Sequence, residues 1–72
     1  MNPTRSIFTI AVDVWSWPEI LREVERRIIS FGVKKKSVDS RWRGLSVELR
    51  VEVEGSAAAL SGFSRYIASL SA

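Results

Sequence analysis

"LSVELRVEVE" (residues 45–54) alternates apolar and polar side chains without a break. Leu45, Val47, Leu49, Val51 and Val53 fall on one side of an extended chain, Ser46, Glu48, Arg50, Glu52 and Glu54 on the other. A period of two marks a strand with one face in a core and the other in water. Valine at 47, 51 and 53 suits that pleated, half-buried surface. Such a strand needs neighbours for its backbone and a layer over its apolar face. The flanking sequence offers both.

Upstream, Arg43-Gly44 marks a turn, and "VKKKSVDSRW" (33–42) reads as the strand before it. Val38 and Trp42 share one parity, yet Lys34 and Lys36 share it too, so a late start or a bulge is expected there. "SIFTIAVDV" (6–14) is rich in β-branched and aromatic residues and reads as the first strand. Phe8, Ile10, Val12 and Val14 make its strongly apolar face. The other face, Ile7, Thr9 and Ala11, is only half polar, as in strands that lie at an interface.

Two segments have helical periodicity. "SWPEILREVERRIISFG" (16–32) opens with a capping box, Ser16 and Glu19, carries Pro18 in its first turn and stops at Gly32. Trp15 is placed to staple onto Ile20. At about 100° per residue, Trp17, Ile20, Leu21, Val24, Ile28 and Phe31 share an inward arc. Ile29 falls on the opposite side among Arg22, Glu25 and Arg26. The second helix follows Gly55, with Ser56 as its cap and Leu60, Phe63, Tyr66, Ile67 and Leu70 inward. Its outer side, Ala58, Ser61, Gly62, Arg65 and Ser69, carries one charge, which suits a face covered by another helix.

The order strand, helix, strand, strand, helix predicts a single α+β domain over 1–72: a three-stranded antiparallel sheet with two helices on one face. It corresponds to a ferredoxin-like split unit without its last strand. The first strand then keeps one unpaired edge, an invitation to another chain, with Arg5 and Asp13 near its ends as the only guards. Ile7, Thr9 and Ala11 are the candidate dimer edge; Ile29, Ala58, Ser61, Gly62, Arg65 and Ser69 are the candidate residues for docking a larger partner.

Composition narrows the chemistry. The chain has 72 residues with neither cysteine nor histidine, which removes disulfides, thiolate metal sites and the commonest general base. An enzyme, a metal site or a cofactor is not expected. A chain of this size buries only about 60% of its unfolded surface, so partnership is the open route to stability. Eleven Lys and Arg against eight Asp and Glu give a net charge of +3. Lys34, Lys35, Lys36, Arg41 and Arg43 flank Trp42, and clustered cations beside an exposed aromatic form a candidate RNA surface. The competing expectation is that Trp42 is core by parity and Glu48, Glu52 and Glu54 neutralise the cations across the strands. A stand-alone RNA-binding domain fits less well, because a Gly-rich clamp and paired sheet aromatics are missing. No apolar run reaches the roughly 18 residues of a membrane span, and the first ten residues lack a signal peptide's apolar core. A cytoplasmic protein is expected. Glutamine is absent and asparagine occurs once, a composition that suits a thermophilic source.

"VELRVEVEGSAAALSGFSRYIASL" resembles the closing strand and helix of the small dimerisation subunit of the KEOPS complex, which makes threonylcarbamoyladenosine in tRNA. Ala59, Leu60 and Gly62 echo that family's Ala-Leu-x-Gly-like stretch; Ser64, Tyr66 and Ile67 echo its Asn-Ser-aromatic-Leu-like stretch. "PEILREV" in the first helix is compatible. Ser61 stands where the family tends to have Arg, and Ala68 and Ser69 where it often has Arg-Trp, as in a divergent paralogue. The resemblance implies a non-catalytic subunit that forms a homodimer or a heterodimer with a related small subunit. It also implies helices that pack on the larger catalytic subunit, and tRNA engaged through the complex. A weaker resemblance, to ACT-like regulatory domains that bind small molecules, rests on the spacing of Pro18, Leu21, Gly32 and Val33. Glu19 replaces the glycine at which ligands approach in that family.

Overall fold

The computed structural model describes residues 4–70. Five elements follow one another: β1 (Thr4–Asp13), α1 (Trp17–Phe31), β2 (Lys34–Arg43), β3 (Ser46–Gly55) and α2 (Ala57–Leu70). The strictly alternating segment becomes the central strand, and the sheet order is β1-β3-β2 with both pairings antiparallel. The α+β architecture is therefore the expected one. Val47, Leu49, Val51 and Val53 are wholly buried, while Glu48, Arg50, Glu52 and Glu54 line the other face.

Both helices lie on the buried side. Val24 and Ile28 of α1 and Leu60, Phe63 and Ile67 of α2 close the core over Ile10 and Val12 of β1. Phe63 meets Phe8 edge-on at 5.5 Å and Phe31 at 6.0 Å, joining α2 to β1 and to α1. Aromatic pairs in this geometry add about 0.5–1.5 kcal/mol beyond their buried area.

The expected irregularity in β2 is a bulge between Lys35 and Ser37. Its consequence is a change of face: Lys35 lies opposite Val53 on the helix side, while Lys34 and Ser37 lie opposite Glu54 and Glu52. Without the extra residue, Val38 could not reach its place opposite Val51.

Three local expectations give way to the chain's turns. Ser16 makes no side-chain cap bond; its φ of −108° and ψ of −9° depart from the extended cap geometry. Its backbone N–H, which Glu19 would have accepted from, instead donates to the Asp13 carbonyl at 3.0 Å. The same tight turn leaves Trp15 84% exposed, so no staple on Ile20 forms. Leu45 belongs to the β2–β3 turn rather than to the core row and is 77% exposed. Gly44, at φ 64°, takes the positive angle that this two-residue loop needs at its first position.

The other ends behave as expected. Gly32 is left-handed at φ 74°, with its N–H on the Ile29 carbonyl and that of Val33 on the Ile28 carbonyl. Ser56 caps α2, its Oγ accepting from the Ala59 N–H at 3.2 Å.

Candidate interaction surfaces

β1 sits at one border of the sheet, with β3 on one side and, among the described residues, no strand on the other. The Val14 N–H donates to the Leu45 carbonyl at 3.0 Å, in line with the β1–β3 register. Because backbone direction alternates along a strand, the even-numbered residues of β1 turn their N–H and C=O groups toward β3. Those of Arg5, Ile7, Thr9, Ala11 and Asp13 point outward. Their side chains are all exposed on the sheet face that the helices leave open. Ile7 is 50% exposed there.

The candidate docking residues separate. Ala58, Ser61, Arg65 and Ser69 are exposed on α2. Gly62 is not part of that face: a Cβ at this position would meet the Phe31 ring at 3.1–3.2 Å, so the glycine serves the close approach of α1 and α2. Beside it, Tyr66 is stacked with Phe31 and Phe63, and the Arg27 guanidinium lies 5.3 Å from the ring centre. The Tyr66 hydroxyl is enclosed and has no hydrogen-bond partner among the described residues. Burial, and secondarily Glu23, pushes its pKa above the usual value of 10.0, against the opposing pull of Arg27.

Ile29 is exposed, as expected, at 82%. It lies on the flank of α1 away from α2, above the start of β2. There it lines a groove of about 360 Å³ with Arg22, Glu25, Arg26, Ile28 and Lys35. Lys35 reaches Glu25 at 3.9 Å across its end. Thus Ile29 and the smooth side of α2 occupy opposite borders of the helix layer and cannot form one patch.

The basic residues are dispersed too. Lys34–Lys36 begin β2 and Arg41 and Arg43 end it, about 20 Å apart at the rise of a strand. Lys36 approaches Glu54 at 3.9 Å and Arg43 approaches Glu48 at 3.8 Å, while Arg5 bridges Glu52 and Glu54 at 3.3 and 3.6 Å. The glutamates of β3 thus counter cations from both neighbouring strands. Trp42 is 59% exposed although its parity is inward, because it lies at the end of the sheet beside the start of α1. Trp17 covers part of it, edge-on at 5.9 Å.

The exposed Trp42 agrees with the reading that set it beside Arg41 and Arg43; the exposure of Trp15 and Leu45 at the same end was not foreseen. Trp15, Trp42 and Leu45 place three of the five exposed large apolar side chains of the described residues there. Trp15 was masked by its reading as a staple, and Leu45 by its place in the alternating row.

Among the described residues no group of three or more acidic side chains stands close enough to hold a metal ion, and no helix is long and apolar enough to cross a membrane. No family model, no curated protein and no solved structure matches the chain.

Proposed function

We propose that this chain is a non-catalytic assembly subunit, one that forms a dimer and docks on a larger catalytic protein. The observation that carries this reading is the placement of its adhesive surfaces. The unpaired edge of β1 and the Ile29 groove lie on opposite borders of the molecule. Facing away from each other, they let one chain hold a like-sized partner and a larger subunit at once. The side chains present supply shape and apolar area rather than an acid–base pair or a nucleophile.

The sequence resemblance gives this reading its concrete form: a tRNA-modification complex of the KEOPS type, making threonylcarbamoyladenosine. In it the α1 flank around Ile29 packs on helices of the catalytic subunit, and tRNA is engaged through the complex in the cytoplasm. With Lys36 and Arg43 facing Glu54 and Glu48, and Lys35 facing Glu25, direct RNA contact by this chain is a minor part of that role.

Affinity purification from the source organism, with identification of what co-purifies, is the test. A catalytic tRNA-modification subunit retained by the native chain and lost from Ile29→Lys is the expected result. Because Ile29 is exposed, the substitution leaves the melting temperature within about 4 °C. Recovery of a biosynthetic enzyme, or of no larger protein, would overturn the reading.

A further inference from the structure

We infer that the turn end of the sheet, where Trp15, Trp42 and Leu45 stand exposed, is a contact site for the interfacial layer of a lipid bilayer with zwitterionic headgroups. This goes beyond the assembly reading and does not depend on it.

The two turns that build this end are fastened together. The Val14 N–H donates to the Leu45 carbonyl at 3.0 Å, which joins the β1–α1 turn to the β2–β3 turn. Within the turns, the Ser16 N–H donates to the Asp13 carbonyl at 3.0 Å and the Ser46 hydroxyl to the Arg43 carbonyl at 3.1 Å. Each turn then shows water one large apolar side chain, Trp15 or Leu45, with Trp42 exposed beside them at the end of β2.

A backbone tied in this way suits surroundings poor in water. Polar groups that hold one another keep their partners when water withdraws, so lowering these turns among headgroups leaves few of them stranded. Tryptophan suits the same zone, because its ring is apolar while its indole N–H can stay at the wet side.

Size argues against a protein as the occupant. Across its long axis the described chain measures 17 × 17 Å, so its end presents about 300 Å², where a specific protein interface takes about 800 Å² from each partner. Interfacial anchoring works with a few side chains and is weak and reversible at that size.

Charge argues against a polyanion. Arg41 and Arg43 stand at this end against Asp13, Glu19 and Glu48, and Glu48 already approaches Arg43 at 3.8 Å. The net charge of +3 is therefore carried elsewhere on the chain, and neither an RNA backbone nor an anionic lipid surface meets a cationic excess here. Headgroups that carry both signs match a border that carries both. A chain standing on this end keeps the β1 edge and the Ile29 groove free on its flanks.

Co-sedimentation of the native chain with phosphatidylcholine vesicles is the test. The chain is expected to partition into them, with little change when phosphatidylglycerol is mixed in or salt is raised from about 0.05 to 0.5 M. Its tryptophan fluorescence is expected to shift to the blue and to be quenched by bromines placed high on the acyl chains. The double variant Trp15→Ser, Leu45→Ser is expected to lose at least about tenfold in partition. Both positions are exposed, so this variant keeps its fold, which circular dichroism checks. Ile29→Lys, which blocks the docking groove, is expected to partition as the native chain does.

Three results would each overturn the inference: no partition into phosphatidylcholine, partition only into anionic vesicles with loss in salt, or a double variant that binds as well as the native chain. So would a protein captured through Trp15 and Leu45 by a chain that ignores vesicles. Vesicle binding with no larger protein captured would sink the assembly reading and leave the membrane contact standing. A captured catalytic subunit without vesicle binding would do the reverse.

Discussion

Gly62 shows how one missing methyl group sets the distance between two helices. Glycine inside a helix costs about 1 kcal/mol relative to alanine. Here that cost is tolerated because the Phe31 ring occupies the space a Cβ would take, at 3.1–3.2 Å. Phe31 is itself held between Phe63 and Tyr66, so it cannot easily withdraw. Overpacking of this kind costs about 1–3 kcal/mol, which exceeds the helix-propensity gain. Gly62→Ala is therefore expected to lower stability by about 1 kcal/mol, read as a fall of several degrees in melting temperature. An increase would show that Phe31 has room to move.

The neighbouring tyrosine yields a second residue-scale expectation. Its enclosed hydroxyl has only Arg27 near it and no hydrogen bond of good geometry, so Tyr66→Phe is expected to hold or raise stability near pH 7, by up to about 1 kcal/mol. The pH dependence has a definite sign. Burial raises the folded-state pKa above the unfolded value, so the folded chain holds this proton longer. The associated stability is full below about pH 10 and is lost as pH climbs through the raised value. Denaturant titrations of the native chain and Tyr66→Phe from pH 8 to 11 should diverge in that window, with the native chain losing more. Parallel curves would mean that the hydroxyl is solvated.

At the scale of elements, the two serine caps look alike in sequence and differ in the fold. Ser56 accepts from the Ala59 N–H, whereas Ser16 has its own N–H drawn to the Asp13 carbonyl and makes no side-chain cap bond. Ser56→Ala should cost about 1 kcal/mol and Ser16→Ala under about 0.3 kcal/mol, measured by chemical denaturation. Equal losses would contradict the turn geometry at residues 13–16. The contrast marks what sequence can convey. Alternation in β3 and the inward arcs of both helices were legible because burial on one face requires a fixed period. Gly32 was legible because a left-handed stop needs glycine. The Trp15 staple, the Ser16 cap and the Leu45 core position were misread, because each depends on how a tight turn rotates the chain, which periodicity does not encode. The docking residues were half legible: exposure followed from the helical period, but placing Ile29 and α2 on opposite borders required the contacts of Arg27 and Phe31 with Tyr66.

At the scale of the whole molecule, the question is what completes a sheet with one strand too few. The described chain measures 42 × 17 × 17 Å, long along the strands and narrow across them. That form leaves a large border for its volume, and small domains are already short of buried area. If the proposed dimer forms through β1, folding is coupled to association, and mass action makes stability depend on concentration. For a dimer that dissociates as it unfolds, a tenfold increase in concentration adds about 1.4 kcal/mol per dimer. Dividing by an unfolding entropy of about 2.1 cal/mol/K per residue over both chains gives a rise of roughly 4–5 °C in melting temperature for each decade. Differential scanning calorimetry over two decades of concentration should show that slope for the native chain. Thr9→Pro removes one outward N–H at a border position that tolerates proline, and so should flatten the slope while leaving a cooperative transition. If the native chain itself melts at one temperature throughout, β1 is an edge that water satisfies, and stability must come from within a single copy.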